Sequence, residues 1–168
     1  MILKKKYKNI VKYWLSSLLI TLGAIILIGG LTRLTDSGLS ITRWEVISGI
    51  LPPLNSTDWQ KAFALYKEIP QYHLLNSNMN MEKFKIIYYW EYSHRLIGRF
   101  FGLLFLIPFC YFLIKKTFNK EYVFKFGFLF FLILVQGFIG WYMVQSGLTE
   151  NTTVSHFRLA VHLNLALI

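Results

Sequence analysis

The chain is predicted to be an all-α integral membrane protein, and three observations carry that reading. Of its 168 residues, 55% are hydrophobic and only 15% are charged, too apolar a balance for a soluble domain of this size. The apolar residues gather into runs. Residues 13–32 and 126–149 contain no charge at all, and each run reaches the ~20 residues that a helix needs to cross a hydrocarbon core. The lysines, finally, are sorted by loop rather than spread over the chain.

The predicted architecture is a four-helix transmembrane bundle, with spans at about 13–32, 84–114, 123–145 and 154–168. The first run is too long for a signal-peptide core and lacks a small-x-small cleavage site, so it reads as an uncleaved span. An external loop, 33–80, separates spans one and two. Its "DSGLSITRW" and "ILPPLNS" stretches read as turns. Its "TDWQKAFALYKEIP" reads as a short amphipathic helix, with Thr57 as cap and Pro70 beyond its end. Trp59, Ala62, Phe63 and Tyr66 share one face of that helix, which is expected to lie on the membrane interface or on the bundle. Gly98 and Gly102 form a G-x-x-x-G pair in span two that would admit a neighbouring helix. The fourth run is still apolar at Ile168, roughly fifteen residues in, so the chain is expected to be a piece of a longer protein or to have this helix completed by something else.

The net charge of +10 raises nucleic acid as a partner, but its placement argues for topology instead. Lys4, Lys5, Lys6, Lys8 and Lys12 precede the first span, and Lys115, Lys116, Lys120 and Lys125 lie between the second and third. Residues 145–157 carry no Lys or Arg, and the stretch from Leu31 to Lys85 is nearly neutral, with six basic and five acidic residues. This is the positive-inside pattern, giving a cytoplasmic N-terminus, or a matrix one if the protein is mitochondrial. The expected partner is the bilayer and not nucleic acid. The single Cys110 excludes an intramolecular disulfide.

Span two opens with "YYWEYSHRLIGRF", which places Glu91, His94, Arg95 and Arg99 inside an apolar run. Charges in lipid are costly, so such residues face the bundle interior. Glu91, His94, Arg95 and Gly98 recur at the spacing that puts them on one stripe of a helix. Glu91 precedes Arg95 by four positions, the favourable order for an ion pair. A structural reading stands beside a functional one: Glu91 and Arg95 neutralise each other while His94 bonds between helices.

Span four contains "SHFRLAVHLNLAL", with His156 and His162. His94 lies eight residues inside Ile86, and His162 lies eight inside Val154. At ~1.5 Å per residue both sit about 12 Å below the outer boundary. His156 sits about 9 Å higher by the same rise and points away. Two imidazoles at one depth on facing helices form an axial pair for a haem iron. Zinc fits less well, because a structural site wants four ligands and no cysteine is near. Arg158, one turn outward of His162, and Arg99 and Arg33 are candidates to hold haem propionates. Snorkelling or anchoring explains Arg33 and Arg99 as readily, and both readings of Arg158 stand.

The stretches "GGLTRLTDSGLSI", "ILPPL", "YYWEYSHRLIGR", "GWYMVQSGL" and "SHFRLAVHLNLAL" together resemble the haem A synthase family in its alphaproteobacterial and mitochondrial form. The resemblance implies an eight-helix inner-membrane oxidoreductase made of two four-helix halves, of which this chain is the N-terminal one. It implies oxidation of the C8 methyl of haem O to a formyl group, giving haem A for terminal oxidases. It assigns His94 and His162 to the substrate haem as iron ligands and Glu91, in the E-x-x-H-R signature, to catalysis. Arg158, Arg95 and Arg99 join the haem-binding set. A haem B is expected in the second half, with haem O synthase and an electron donor as partners, and a homo-oligomer is left open. Some bacterial relatives carry a reactive cysteine pair in an outer loop, and this chain has none there. Two other classes compete with the enzyme: a bis-His b-type cytochrome that only carries electrons, and an assembly protein whose polar stripe only packs helices.

Overall fold

The structure is a computed structural model, and it describes residues 7–44, 48–149 and 151–167. All regular structure among the described residues is helical. Three helices are long and apolar enough to cross a membrane: α1 (Lys8–Leu34), α4 (Met81–Ile114) and α5 (Lys120–Thr149). Between α1 and α4 lie a 3₁₀ turn (Ser48–Ile50), α2 (Ser56–Lys67) and α3 (Pro70–Leu75). The last helix, α6 (His156–Ala166), has 11 residues, which is ~17 Å of helix and less than a hydrocarbon core requires.

The helices pack in chain order, α1 on α4, α4 on α5 and α5 on α6. Their outward faces carry Leu19, Ile20, Leu27, Ile107, Phe124 and Phe131, all well exposed, which is the surface that lipid would cover. Asparagine or serine starts α2, α4, α5 and α6. Asn55 accepts from the Asp58 N–H, Asn80 from Lys83, Asn119 from Tyr122 and Ser155 from Arg158, each satisfying an otherwise orphaned donor. Thr57 therefore does not cap α2. The helix starts earlier, because Asn55 is the stronger capping residue and sits outside the first turn. Pro70 does not merely end a helix; it opens α3 at a position where its missing N–H costs nothing.

Two apolar clusters hold the bundle. At the lysine-rich end, Val11, Trp14 and Leu18 of α1 pack on Phe105, Phe109 and Phe112 of α4, with Phe126 and Phe130 of α5 closing the cluster. At the loop end, Trp59, Phe63 and Tyr66 of α2 pack with Leu39, Ile69, Phe84 and Val154, and with Tyr88, Met143 and Val144. The shared face of the α2 helix thus lies on the bundle. It can do so because α4 has 34 residues, ~51 Å of helix, so roughly 20 Å projects past a ~30 Å core and offers Phe84 and Tyr88 as a platform.

Between the two clusters lies a layer of different composition. On α4 it spans 89–100, and on α5 134–142; among the described residues these stretches contribute no buried hydrophobic side chain to either cluster. His94 and Gln136 are in that layer. The end of α1 returns the chain towards it. Asp36 adopts φ 50°, the Ser37 N–H bonds Thr32 O at 3.0 Å and the Asp36 N–H bonds Arg33 O at 3.3 Å. This helix-ending turn sends residues 37–41 back across the tops of α4 and α5.

Candidate functional site

Glu91 is the most buried ionisable side chain of the polar layer, 3% exposed, and both its oxygens are occupied. Oε1 accepts from Arg95 Nε at 3.0 Å and also from Arg95 Nη2. Oε2 accepts from the Ser40 hydroxyl at 2.7 Å and from the Ile41 N–H at 2.8 Å. Arg95 in turn donates to Ile41 O at 3.0 Å. The carboxylate and guanidinium therefore clasp the returning strand of chain from both sides. A charge-assisted set of this kind fixes geometry as well as energy. The ion pair has the i,i+4 spacing expected from sequence, but its Ser40 and Ile41 partners come from a segment fifty positions away.

The same segment reaches α5. Leu39 sits against Gly147, where an added Cβ would lie 2.7 Å from a Leu39 methyl. Ser40 also donates to Ile87 O at 3.3 Å, and Gln71 Nε2 donates to Asp36 O at 3.0 Å. Residues 36–41 thus tie α3, α4 and α5 together directly above the polar layer.

His94 and His162 each lie in a notch left by a glycine. A Cβ on Gly29 of α1 would sit 2.9 Å from His94 Nε2, and one on Gly140 of α5 would sit 3.0 Å from His162 Cε1. Nδ1 of His162 is buried and meets no hydrogen-bond partner among the described residues, an unusual state for a buried polar atom. Gln136, one turn from Gly140 on the same face of α5, donates from Nε2 to His162 O at 2.9 Å.

The other expected residues are placed as follows. Arg158 lies with its guanidinium 3.8 Å from the Tyr142 ring centroid and donates to Tyr142 O at 2.8 Å. Arg99 is half-buried one turn beyond Arg95. Arg33, partly exposed, pairs with the exposed Asp36 at 3.3 Å. His156 is exposed at the start of α6. Gly98 and Gly102 face open space within this chain, so the G-x-x-x-G pair admits no helix here; the glycines that do admit close neighbours are Gly29, Gly140 and Gly147. Two of these open the stretches "GGLTRL" and "GWYMVQSGL", but a glycine's partner is not written beside it in the chain.

A family model described as cytochrome oxidase assembly protein matches residues 12–168. The chain belongs to this cytochrome oxidase assembly family. Among curated relatives, the chain is 53% identical over 161 residues to "Heme A synthase" of Pelagibacter ubique (strain HTCC1062), covering 96% of this chain and 48% of that protein. It is 51% identical over 158 residues to the protein of that name from Azorhizobium caulinodans, covering 94% and 45%. It is 47% identical over 156 residues to that of Parvibaculum lavamentivorans, covering 93% and 45%. The chain therefore spans slightly less than half the length of the curated relatives it matches. No solved structure matches it. Membership of the cytochrome oxidase assembly family, with three span-length helices, makes this a multi-pass membrane protein.

Proposed function

We propose that this chain is the haem-substrate half of a haem A synthase, a membrane oxidoreductase that converts the C8 methyl of haem O to a formyl group. One observation carries the reading: His94 and His162 each lie in a glycine notch of the polar layer, and His162 Nδ1 is buried there without a partner among the described residues. Among the described residues no three His, Cys, Asp or Glu side chains gather to hold a metal ion by themselves. A haem iron asks the protein only for axial ligands, since the porphyrin supplies the rest. The donor set present fits that group. The relatives' printed name supports the substrate class.

In this reading haem O is the substrate, and its iron supplies the redox chemistry when bound. The chain's own residues bind and orient it. His94 and His162 are the ligands, and the glycine notches set the rotation of each ring. Arg158, steadied by Tyr142, would hold the propionates on the outer side, and Arg99 would line the haem pocket on the inner side of His94. Glu91, one turn outward of His94, is the catalytic carboxylate. Its four hydrogen bonds preorganise negative charge beside positive charge developing at the substituent carbon. The apolar cluster around Trp59 and Phe84 keeps bulk water from the layer.

The finer architecture belongs to the same proposal. α1, α4, α5 and α6 are the four spans of an N-terminal half, in a two-repeat, eight-helix protein whose other half binds haem B. The share of each relative that is matched, under half, supports this. The lysine-rich end faces the cytoplasm, and the external loop, 33–80, lies outside the inner membrane. Haem O synthase supplies the substrate and a separate donor the electrons.

The test is spectroscopic and then chemical. The complete protein, expressed with ample haem, is expected to show a Soret band that His94→Ala and His162→Ala each weaken or shift, leaving the share of the other half's haem B; absence of the band, or a band that neither substitution changes, overturns the reading. Supplied with haem O and a redox partner, it is expected to yield hydroxylated haem and haem A. Bound haem without conversion would leave a b-type cytochrome instead.

A further inference from the structure

A histidine that ligates a metal through one ring nitrogen almost always donates its other N–H to an acceptor, which fixes the tautomer and raises the basicity of the ligand. His162 has no such acceptor among the described residues, and its Nδ1 is buried. A second buried atom is in the complementary state. Oε1 of Gln136, an acceptor, also meets no partner among the described residues. The two orphans belong to residues already joined, because Gln136 Nε2 donates to the main-chain carbonyl of His162 at 2.9 Å. That bond also settles which end of the amide is oxygen, since only the NH₂ group can serve a carbonyl. Gln136 and Gly140 are four apart on α5, so the residue that grips the His162 main chain and the notch that receives its ring share one face.

We propose that Gln136 is the positioning residue for His162: its NH₂ group holds the α6 main chain, and its Oε1 accepts the Nδ1–H of His162 when Nε2 faces the haem. This rests on the haem reading above and adds to it the residue that sets the electronic character of one ligand. An amide acceptor polarises the imidazole modestly. A carboxylate in its place would draw the proton more strongly and make the ligand more electron-rich. An apolar residue would leave the N–H buried and unpaired.

The test uses the complete, haem-loaded protein carrying Gln136→Glu or Gln136→Leu, read by redox titration, by the electron paramagnetic resonance of the oxidised haem and by haem affinity. Gln136→Glu is expected to lower the midpoint potential below wild type. Gln136→Leu is expected to raise it and to weaken haem binding about 10–100-fold. In the wild type, the Nδ1 proton of His162 is expected to exchange slowly with deuterium oxide, a readout that survives if either variant fails to fold. Potentials and g-values unchanged in both variants, shifts of the same sign in both, or a freely exchanging Nδ1 proton would each overturn the proposal. If the wild type binds no haem at all, the haem reading fails. If haem is bound and lost in His162→Ala, yet is indifferent to residue 136, only the role of Gln136 fails.

Discussion

The indole Nε1 of Trp14 donates to the carbonyl oxygen of Leu104 at 2.8 Å. That carbonyl stands four residues before Pro108, the proline inside α4. In an unbroken helix the N–H of residue 108 would bond Leu104 O, and proline has none. Within a bilayer no water replaces the lost donor, so a neighbouring helix has to. Trp14, buried in the aromatic cluster with Phe105 and Phe112, supplies it from α1.

A double-mutant cycle tests this pairing. Trp14→Phe keeps the aromatic packing but leaves the carbonyl unpaired, at a cost of about 1–3 kcal/mol. In a Pro108→Ala background the helix restores its own bond, and the same substitution is expected to cost markedly less. Unfolding in detergent micelles measures both arms; equal costs in the two backgrounds would show that the hydrogen bond is not what couples them.

The clasp on residues 40–41 predicts unequal effects of two changes at Glu91. Glu91→Ala leaves Arg95 without its carboxylate in a nearly dry site, with the Ser40 hydroxyl and Ile41 N–H also unserved, and is expected to cost about 3–5 kcal/mol. Glu91→Gln keeps the size and an acceptor but not the charge, and is expected to retain bound haem while losing most conversion. Ser40→Ala removes one bond to a charged acceptor, about 1.5–3 kcal/mol. Thermal unfolding alongside haem content and product analysis separates the losses. Equal loss of haem in Glu91→Ala and His94→Ala would assign Glu91 a purely structural role.

The glycine notches predict a loss of ligand without a loss of fold. Gly29→Ala places a methyl 2.9 Å from His94 Nε2, and Gly140→Ala one 3.0 Å from His162 Cε1. Both contacts are with ring edges that yield by rotation, so helicity by circular dichroism is expected to stay at wild type. Haem affinity is expected to fall about 10–100-fold as the imidazole turns away. Unaltered haem binding in both variants would detach the notches from the site.

A pH dependence is expected in the loop-end cap. Burial lifts the Tyr66 phenol above its ordinary value of 10.0, with the hydrogen bond from Asn76 opposing it. The folded protein therefore holds this proton where the unfolded chain releases it. The stability it contributes is full below about pH 10 and declines as pH rises through the lifted value. Tyr66→Phe is expected to flatten that alkaline decline. It also costs about 1–3 kcal/mol at neutral pH, because Gln71 Oε1 and Asn76 Nδ2 lose the hydroxyl they share. Melting temperatures between pH 8 and 11 measure both.

Much of this was legible from patterns that are local along the chain. Two charge-free runs announce α1 and α5, a third apolar run broken by the polar cluster announces α4, and the buried face of α2 follows from the 3.6-residue period of Trp59, Phe63 and Tyr66. The ion pair of Glu91 and Arg95 is likewise a matter of spacing four. Thr57 misled as a cap because any Ser, Thr, Asn or Asp near a helix start signals equally. Only backbone geometry selects among them, and it selects Asn55.

A helical, apolar chain with Glu91, His94 and Arg95 on one stripe of α4 follows from the order of residues alone. Periodicity along one helix decides these. What these side chains meet is visible only in the folded chain: Ser40 and Ile41 for Glu91 and Arg95, Gly29 for His94, and Gly140 and Gln136 for His162 on α6. The reason is physical. Period assigns a residue to a face, but its neighbour depends on how helices rotate against one another and on where a loop returns, and those are set by the turn at Asp36 and the notch at Gly147, far from the stripe in sequence.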